Sequence, residues 1–253
     1  CMKNTLLSER DLLLIEDIIV NYGSIVTFDQ IFALFHGKKD RQSIRKIVHK
    51  LNNNGWLVRI KKGYYSVSSI ESRGFLETPP FKIAQILEES SYISFEGALQ
   101  YHNMFDQMLG TIVSISLKQS IGRLIQNIHY RFVKVNKKLY FGWNEHNIES
   151  YTIKIASKEK AILDFLAFNR NKYTIDLITE TLMSHQSEFD YKEMQQMSLQ
   201  YSFAVQKILG LICDMLTINS SFLYNKLKNN KNIAHMTGID QKDHFNSKWR
   251  VYY

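Results

Sequence analysis

Residues 44–67 read IRKIVHKLNNNGWLVRIKKGYYSV, and this stretch narrows the folds open to the chain more than any other. A helical apolar period runs into a glycine, then into two short β-patterned segments with a lysine-rich tip. At 100° per residue, Ile44, Ile47, Val48 and Leu51 fall on one side of a helix predicted from about residue 41 to 53. Gln42, Lys46 and His49 take the opposite side, flanked by Ser43, Arg45 and Lys50. Asp40 is placed to cap this helix, and Gly55 to end it in the left-handed conformation. Residues 57–60 and 64–67 then read as strands of a hairpin joined by Lys61-Lys62-Gly63.

Two helical patterns precede it. Leu12, Ile15, Ile19 and Tyr22 recur at helical spacing after Ser8, and Gly23 ends the run. Thr27-Phe28-Asp29-Gln30 matches a capping box, with Ile31, Leu34 and Phe35 following as the apolar face of a short second helix and His36-Gly37 as a turn. Three helices followed by a hairpin predict a winged helix-turn-helix over residues 1–67. In such a module one helix enters a major groove while the hairpin tip lies against the adjacent backbone.

The charge supports that expectation. The 253-residue chain carries a net +8. Residues 38–62 hold nine Lys or Arg (Lys38, Lys39, Arg41, Arg45, Lys46, Lys50, Arg59, Lys61, Lys62) against one acid, Asp40. Everything outside this segment balances, 23 bases against 23 acids. A surface that is basic only for solubility would spread its excess, whereas a phosphate-binding footprint concentrates it. The candidate base-reading residues are Gln42, Ser43, Arg45, Lys46 and His49, because Arg, Lys and Gln present several donors to groove edges. Arg59, Lys61, Lys62 and Tyr64 are the candidate phosphate contacts, with Lys38, Lys39 and Lys50 completing the expected DNA-binding set. A solvated basic face is the structural alternative, and the tyrosines of the hairpin also suit packing.

The polar stretch SSIESRGFLETPP, containing both prolines of the chain, reads as a linker over residues 68–80. A second domain over 81–253 opens with helical patterns at 83–87 and 95–101. Strand-like segments TIVSISL, HYRFVKV, KLYFGW and YTIKIA follow. Ser157 then starts a helix, SKEKAILDFLAF, with Ala161, Ile162, Phe165 and Leu166 on its buried side. Helical patterns at 175–183, 192–199, 203–216 and 222–227 lead to a short closing strand, KWRVYY. The expected class is α+β: an N-terminal winged helix, then a larger α+β domain with a helical C-terminal part.

The segments NGWLVRIKKGYYSV, YISFEGALQYHNM, KKLYFGW and IASKEKAILDFL, in this order and at these intervals, resemble the AbiEi antitoxin family of type IV toxin-antitoxin systems. The resemblance spans most of residues 27–168. It implies a phage-defence transcriptional regulator whose winged helix represses its own promoter by binding inverted repeats in double-stranded DNA. It further implies that the C-terminal domain counteracts a nucleotidyltransferase-like toxin, by contact or by acting on the toxin's target. Within SKEKAILDFL, the residues Glu159, Lys160 and Asp164 are expected to be exposed charges on a capped helix rather than a site.

Enzyme readings lack their signatures. A nucleotidyltransferase needs paired carboxylates after a Gly-Ser turn, and no Asp-x-Asp follows Gly23-Ser24. A metal-dependent nuclease would draw on Asp176, Glu188, Asp190 and Lys192, but EFDYK fits an acid-acid-x-lysine arrangement poorly. The chain is therefore expected not to be an enzyme and to need no cofactor or metal. A winged-helix regulator with a ligand-sensing or dimerisation domain is the alternative. No run of about 18 apolar residues predicts a membrane span, and no secretory signal pattern opens the chain, which makes the cytoplasm the expected compartment. Cys213 reads as a buried thiol. Cys1 stands before a Met-Lys start and reads as an added residue, lipidation being the alternative.

Overall fold

The computed structural model describes residues 7–237 and 244–253, so the expectation for Cys1 lies outside the described residues. The chain forms two compact units. One runs to Glu89 and includes Leu124–Ile128; the other comprises Ser90–Arg123 and His129–Tyr253. Helices and sheets occur in both, making the protein α+β. Among the described residues no helix is long and apolar enough to cross a membrane.

The first unit contains α1 (Glu9–Tyr22), β1 (Ile25–Thr27), α2 (Phe28–Ala33), α3 (Arg41–Asn53), β2 (Leu57–Lys61), β3 (Tyr64–Val67) and α4 (Pro80–Leu87). Its helix ends are set by local side-chain chemistry. The capping box forms: the Thr27 N–H donates to Gln30 Oε1 at 2.8 Å and the Gln30 N–H to Thr27 Oγ1 at 3.2 Å. Asp40 Oδ1 accepts the N–H groups of Gln42 and Ser43 at 2.8 and 2.9 Å, starting α3. At the other end Gly55 sits at φ +79. The Trp56 N–H donates to the Leu51 carbonyl at 3.0 Å and the Gly55 N–H to that of Asn52 at 3.1 Å, which satisfies carbonyls the helix leaves open.

Strands β1, β3 and β2 form an antiparallel sheet in that order. The sequence reading does not include β1, whose three residues are too few to show alternation. Ile44, Val48 and Leu51 of α3 are buried in one cluster with Leu14, Ile15, Ile18, Val26, Ile31 and Leu57. The expected face of α1 is corrected here: Ile15 is buried as expected, but Leu12 and Ile19 are about half exposed, and Asp11, Leu14 and Ile18 point inward instead. Apolar residues occupy two arcs of this helix, so period alone does not choose between them.

The segment expected to be a linker is bonded to this unit. The Ser68 N–H donates to the Trp56 carbonyl at 3.1 Å, the Gly74 N–H to that of Gly55 at 2.9 Å, and Ser66 and Thr78 hydroxyls meet at 3.1 Å. Helix α4 packs on β2. Short polar side chains that suggest a flexible tether thus serve as local hydrogen-bond partners, and the first unit extends past the expected boundary at residue 81.

The second unit is built on a mixed sheet. Its elements are β4 (Ser91–Ile93), α5 (Phe95–Tyr101), β5 (Thr111–Ser116), β7 (Ile128–Lys134), β8 (Trp143–Ile148), β9 (Tyr151–Ala156) and α6 (Lys158–Phe168), while β6 (Arg123–Ile125) falls mostly in the stretch assigned to the first unit. Then come α7 (Lys172–Ser184), α8 (Tyr191–Ser198), α9 (Phe203–Met215), α10 (Ser221–Leu227), β10 (Ala234–His235), β11 (Phe245–Asn246) and β12 (Val251–Tyr252). Within this unit the main sheet runs β7-β5-β4-β9-β8, with β5 parallel to β7 and β4 parallel to β9. The expected strand at KLYFGW is corrected: Lys137–Leu139 is a 3-10 turn capped by Asn136, and β8 begins only at Trp143.

Helix α6 is buried on every face from Glu159 to Leu166. Ala161, Ile162, Leu163, Phe165 and Leu166 are fully buried, and so, against expectation, are Glu159, Lys160 and Asp164. Glu159 Oε1 accepts the Asp190 N–H at 3.1 Å. Lys160 Nζ lies 2.5 Å from Asp164 Oδ1, and Tyr201 donates to the same oxygen at 2.7 Å. Ser94 and Tyr92 donate to Asp164 Oδ2 at 2.7 and 3.2 Å. Burial pulls the Lys160 ammonium below its ordinary range while Asp164 opposes that shift. Burial and the Asp164 charge push the Tyr92 and Tyr201 phenols far up. Removing one partner of a buried pair strands the other charge. Lys160→Met or Asp164→Leu alone should therefore cost about 3–5 kcal/mol, and the double substitution clearly less than their sum. Urea denaturation of the four proteins checks this, and simple additivity would mean that the two side chains are not energetically coupled.

Candidate nucleic-acid interface

With its apolar stripe buried, α3 turns its opposite side toward the β2–β3 hairpin. The hairpin turns at Lys62-Gly63, with Gly63 at φ +81, and the register shifts between Arg59 and Lys61. The Phe28 N–H donates to the Gly63 carbonyl at 2.8 Å, which ties the hairpin tip to the start of α2. These three elements enclose an open cleft of about 730 Å³. Phe28 and Asp29 come from α2. Arg41, Gln42, Arg45, Lys46, Val48, His49 and Asn52 come from α3, and Arg59, Lys62, Gly63 and Tyr65 from the hairpin and its tip. Five cationic side chains therefore meet one carboxylate, Asp29, around a concave surface.

The cleft gathers six residues of the expected set: Gln42, Arg45, Lys46, His49, Arg59 and Lys62. The other six lie outside its lining. Ser43 is committed to the cap, its Oγ donating to Asp40 Oδ2 at 2.6 Å while its N–H binds the other oxygen. These bonds hold the Asp40 carboxyl below its usual range. Lys61 lies 3.7 Å from Glu89 and 4.4 Å from the Tyr64 ring centroid, and the Tyr64 hydroxyl donates to Glu89 at 3.4 Å. Burial, and then the Glu89 charge, raise the Tyr64 phenol. Lys38 and Lys39 precede α3, with Lys39 6.0 Å from the Phe35 ring.

Arg41, Asn52, Asp29, Phe28 and Tyr65 line the cleft and are absent from the expected set. Arg41 and Asn52 were legible in principle, since both share the helical face of Arg45 at 100° per residue. The face in use is rotated toward them and away from Ser43 and Lys50. Asp29, Phe28 and Tyr65 arrive from other elements, which helical spacing cannot reveal. Two of the carboxylates weighed for nuclease chemistry have local roles: Asp190 Oδ1 accepts the Glu193 N–H at 2.9 Å to cap α8, and Glu188 meets His185 at 2.8 Å.

No family model matches the sequence, and no curated protein matches it. Among solved structures, the crystal structure of the RV2827C protein from Mycobacterium tuberculosis is similar, with a TM-score of 0.68 at 9% identity. The likeness covers 98% of this chain and 92% of that one. At this identity it is a likeness of fold.

Lys50 binds Asp11 of α1 at 2.6 Å and thereby braces α1 against α3. Burial favours the protonated form of Asp11, but hydrogen bonds from Lys50 and Ser8 outweigh it and hold the carboxyl below its ordinary 3.8. A group with a depressed folded pKa stabilises above its unfolded value and loses that contribution as pH falls through the folded one. Asp11→Asn should therefore cost about 1–2 kcal/mol at neutral pH, and the gap from wild type should close in acid below 3.8. Urea denaturation across that range measures it, and a gap that does not change with pH would assign the loss to packing.

Proposed function

We infer that the first unit is a winged helix-turn-helix that binds double-stranded DNA, and that the protein is a transcriptional regulator acting on its own promoter. The observation that carries this reading is the cleft itself. It joins the polar face of α3 to the hairpin and draws nine of its lining residues, five of them Lys or Arg, from the short segment that holds the chain's whole charge excess. A helix face of Arg, Lys, Gln and His suits groove edges, and a hairpin with Arg59 and Lys62 suits phosphates. The resemblance to AbiEi antitoxins extends the reading to an autorepressor that recognises inverted repeats and counteracts a nucleotidyltransferase-like toxin. The motif resemblance alone supports that half. In this reading the protein is a cytoplasmic binding protein rather than an enzyme.

Binding to duplex DNA should weaken steeply with salt, because neutralised phosphates release counterions. Replacing Arg59 and Lys62 together by Ala should reduce the slope of log affinity against log salt by about 0.9 per lost contact, on any sequence. Lys50→Gln, which removes a cation already bound to Asp11, should leave the slope unchanged. Fluorescence anisotropy with labelled duplexes at several salt concentrations reads both. Absence of salt-dependent binding would sink the DNA reading, and an unchanged slope in the double variant would take the hairpin out of the interface. For the antitoxin half, a neighbouring gene whose product carries a Gly-Ser turn and paired aspartates supplies the partner, and co-expression should restore growth that this product arrests. Arrest that persists would remove that half.

A further inference from the structure

Arg41 is held in a way that a simple phosphate anchor does not require. Its Nη2 donates to Asp29 Oδ1 at 2.6 Å. Its guanidinium carbon lies 4.9 Å from the Phe32 ring centroid and 5.3 Å from that of Phe28. One carboxylate and two rings thus fix both the direction and the plane of the fork, and the side chain remains 51% exposed at the cleft. A guanidinium carries five N–H donors in a fixed fork, so the bond to Asp29 leaves several for a ligand. Arg45 flanks the same Phe28 ring, 5.9 Å from its centroid, which places a second cation beside the first.

The presence of Asp29 decides what Arg41 meets. A carboxylate 77% exposed beside the fork repels a phosphate and weakens a cation whose only task is to bind one. The same carboxylate costs little where the incoming group is neutral and rich in acceptors. In the major groove that group is the N7/O6 edge of guanine, which an arginine fork binds through two parallel hydrogen bonds. Orienting the fork before binding also removes part of the ordering cost of recognition. We propose that Arg41 is a specificity-determining residue that reads a guanine, with Asp29 as the residue that positions it. This rests on the DNA-binding reading of the cleft.

The test is selection from a pool of randomised duplexes, followed by affinity measurements on the selected duplex and on a copy with one selected G·C pair changed to A·T. For wild type the change should weaken binding about 5- to 150-fold. Arg41→Ala should bind the two duplexes equally, and Arg41→Lys, which lacks the planar fork, should discriminate between them less than wild type. Arg41→Lys, which keeps the charge, should hold wild-type affinity for unselected DNA. Asp29→Asn should lower the guanine preference while leaving binding to unselected DNA equal or tighter, a combination that mere damage to the fold does not produce. Circular dichroism confirms that each variant is folded. The proposal is overturned if no guanine is selected, if Arg41→Ala keeps the full preference, or if Arg41→Ala loses affinity equally on every sequence. Wild type that binds no duplex in a salt-dependent way overturns the underlying DNA reading, and the assignment of Arg41 falls with it.

Discussion

The withdrawal of Ile44, Val48 and Leu51 from water fixes the rotation of α3 about its own axis, and every later feature of the first unit depends on that rotation. Fully burying each such side chain is worth roughly 1.5–3 kcal/mol. Turning the helix to expose them would forfeit several kilocalories, a large part of a domain's net stability. Once the stripe is seated, Arg41, Arg45, His49 and Asn52 face the hairpin with no further instruction. The Asp11–Lys50 pair adds a polar check on the same geometry from the far side of the helix.

What the sequence reveals of this arrangement follows from how local each cause is. Caps at Thr27 and Asp40 and the stop at Gly55 act within a few residues, and they form as their spacing predicts. The hairpin is equally local. The inward face of α1 is not, because Leu12 to Ile15 and Ile18 to Val20 supply two apolar arcs, and only packing into the shared core cluster selects between them. The cleft is legible on its α3 side and hidden on its α2 side. Asp29 reaches Arg41 across twelve residues, and the chain gives no periodic sign of that approach. Three-residue strands such as β1 and β4 are below the length at which alternation shows.

The second unit illustrates the opposite failure. A helix reading SKEKAILDF looks amphipathic, and its charges look solvated, because pattern assumes that ionisable residues face water. Here Lys160 and Asp164 stand one turn apart and answer each other. Two tyrosines and Ser94 fill the remaining hydrogen-bonding capacity of the carboxylate. Aromatic faces of Tyr92, Phe141 and Tyr201 surround the ammonium, at 4.8 to 5.5 Å. Only residues brought from distant segments make such burial affordable, so the signal is tertiary. The same network ties α6 to β4 and to the segment before α9.

Charge counted along the chain and charge presented at the surface are also different quantities. Of the nine cations in residues 38–62, Lys50 is answered by Asp11, Lys61 lies near Glu89, and Arg41 is answered by Asp29. Arg45, Lys46, Arg59 and Lys62 line the cleft without a carboxylate partner of this kind among the described residues. Holding four like charges around one concavity raises the free energy of the unliganded fold, and screening by salt relieves only part of it. A ligand with regularly spaced negative charge relieves the rest. The acids thus narrow the charge that no carboxylate answers to one face, the cleft between α3 and the hairpin.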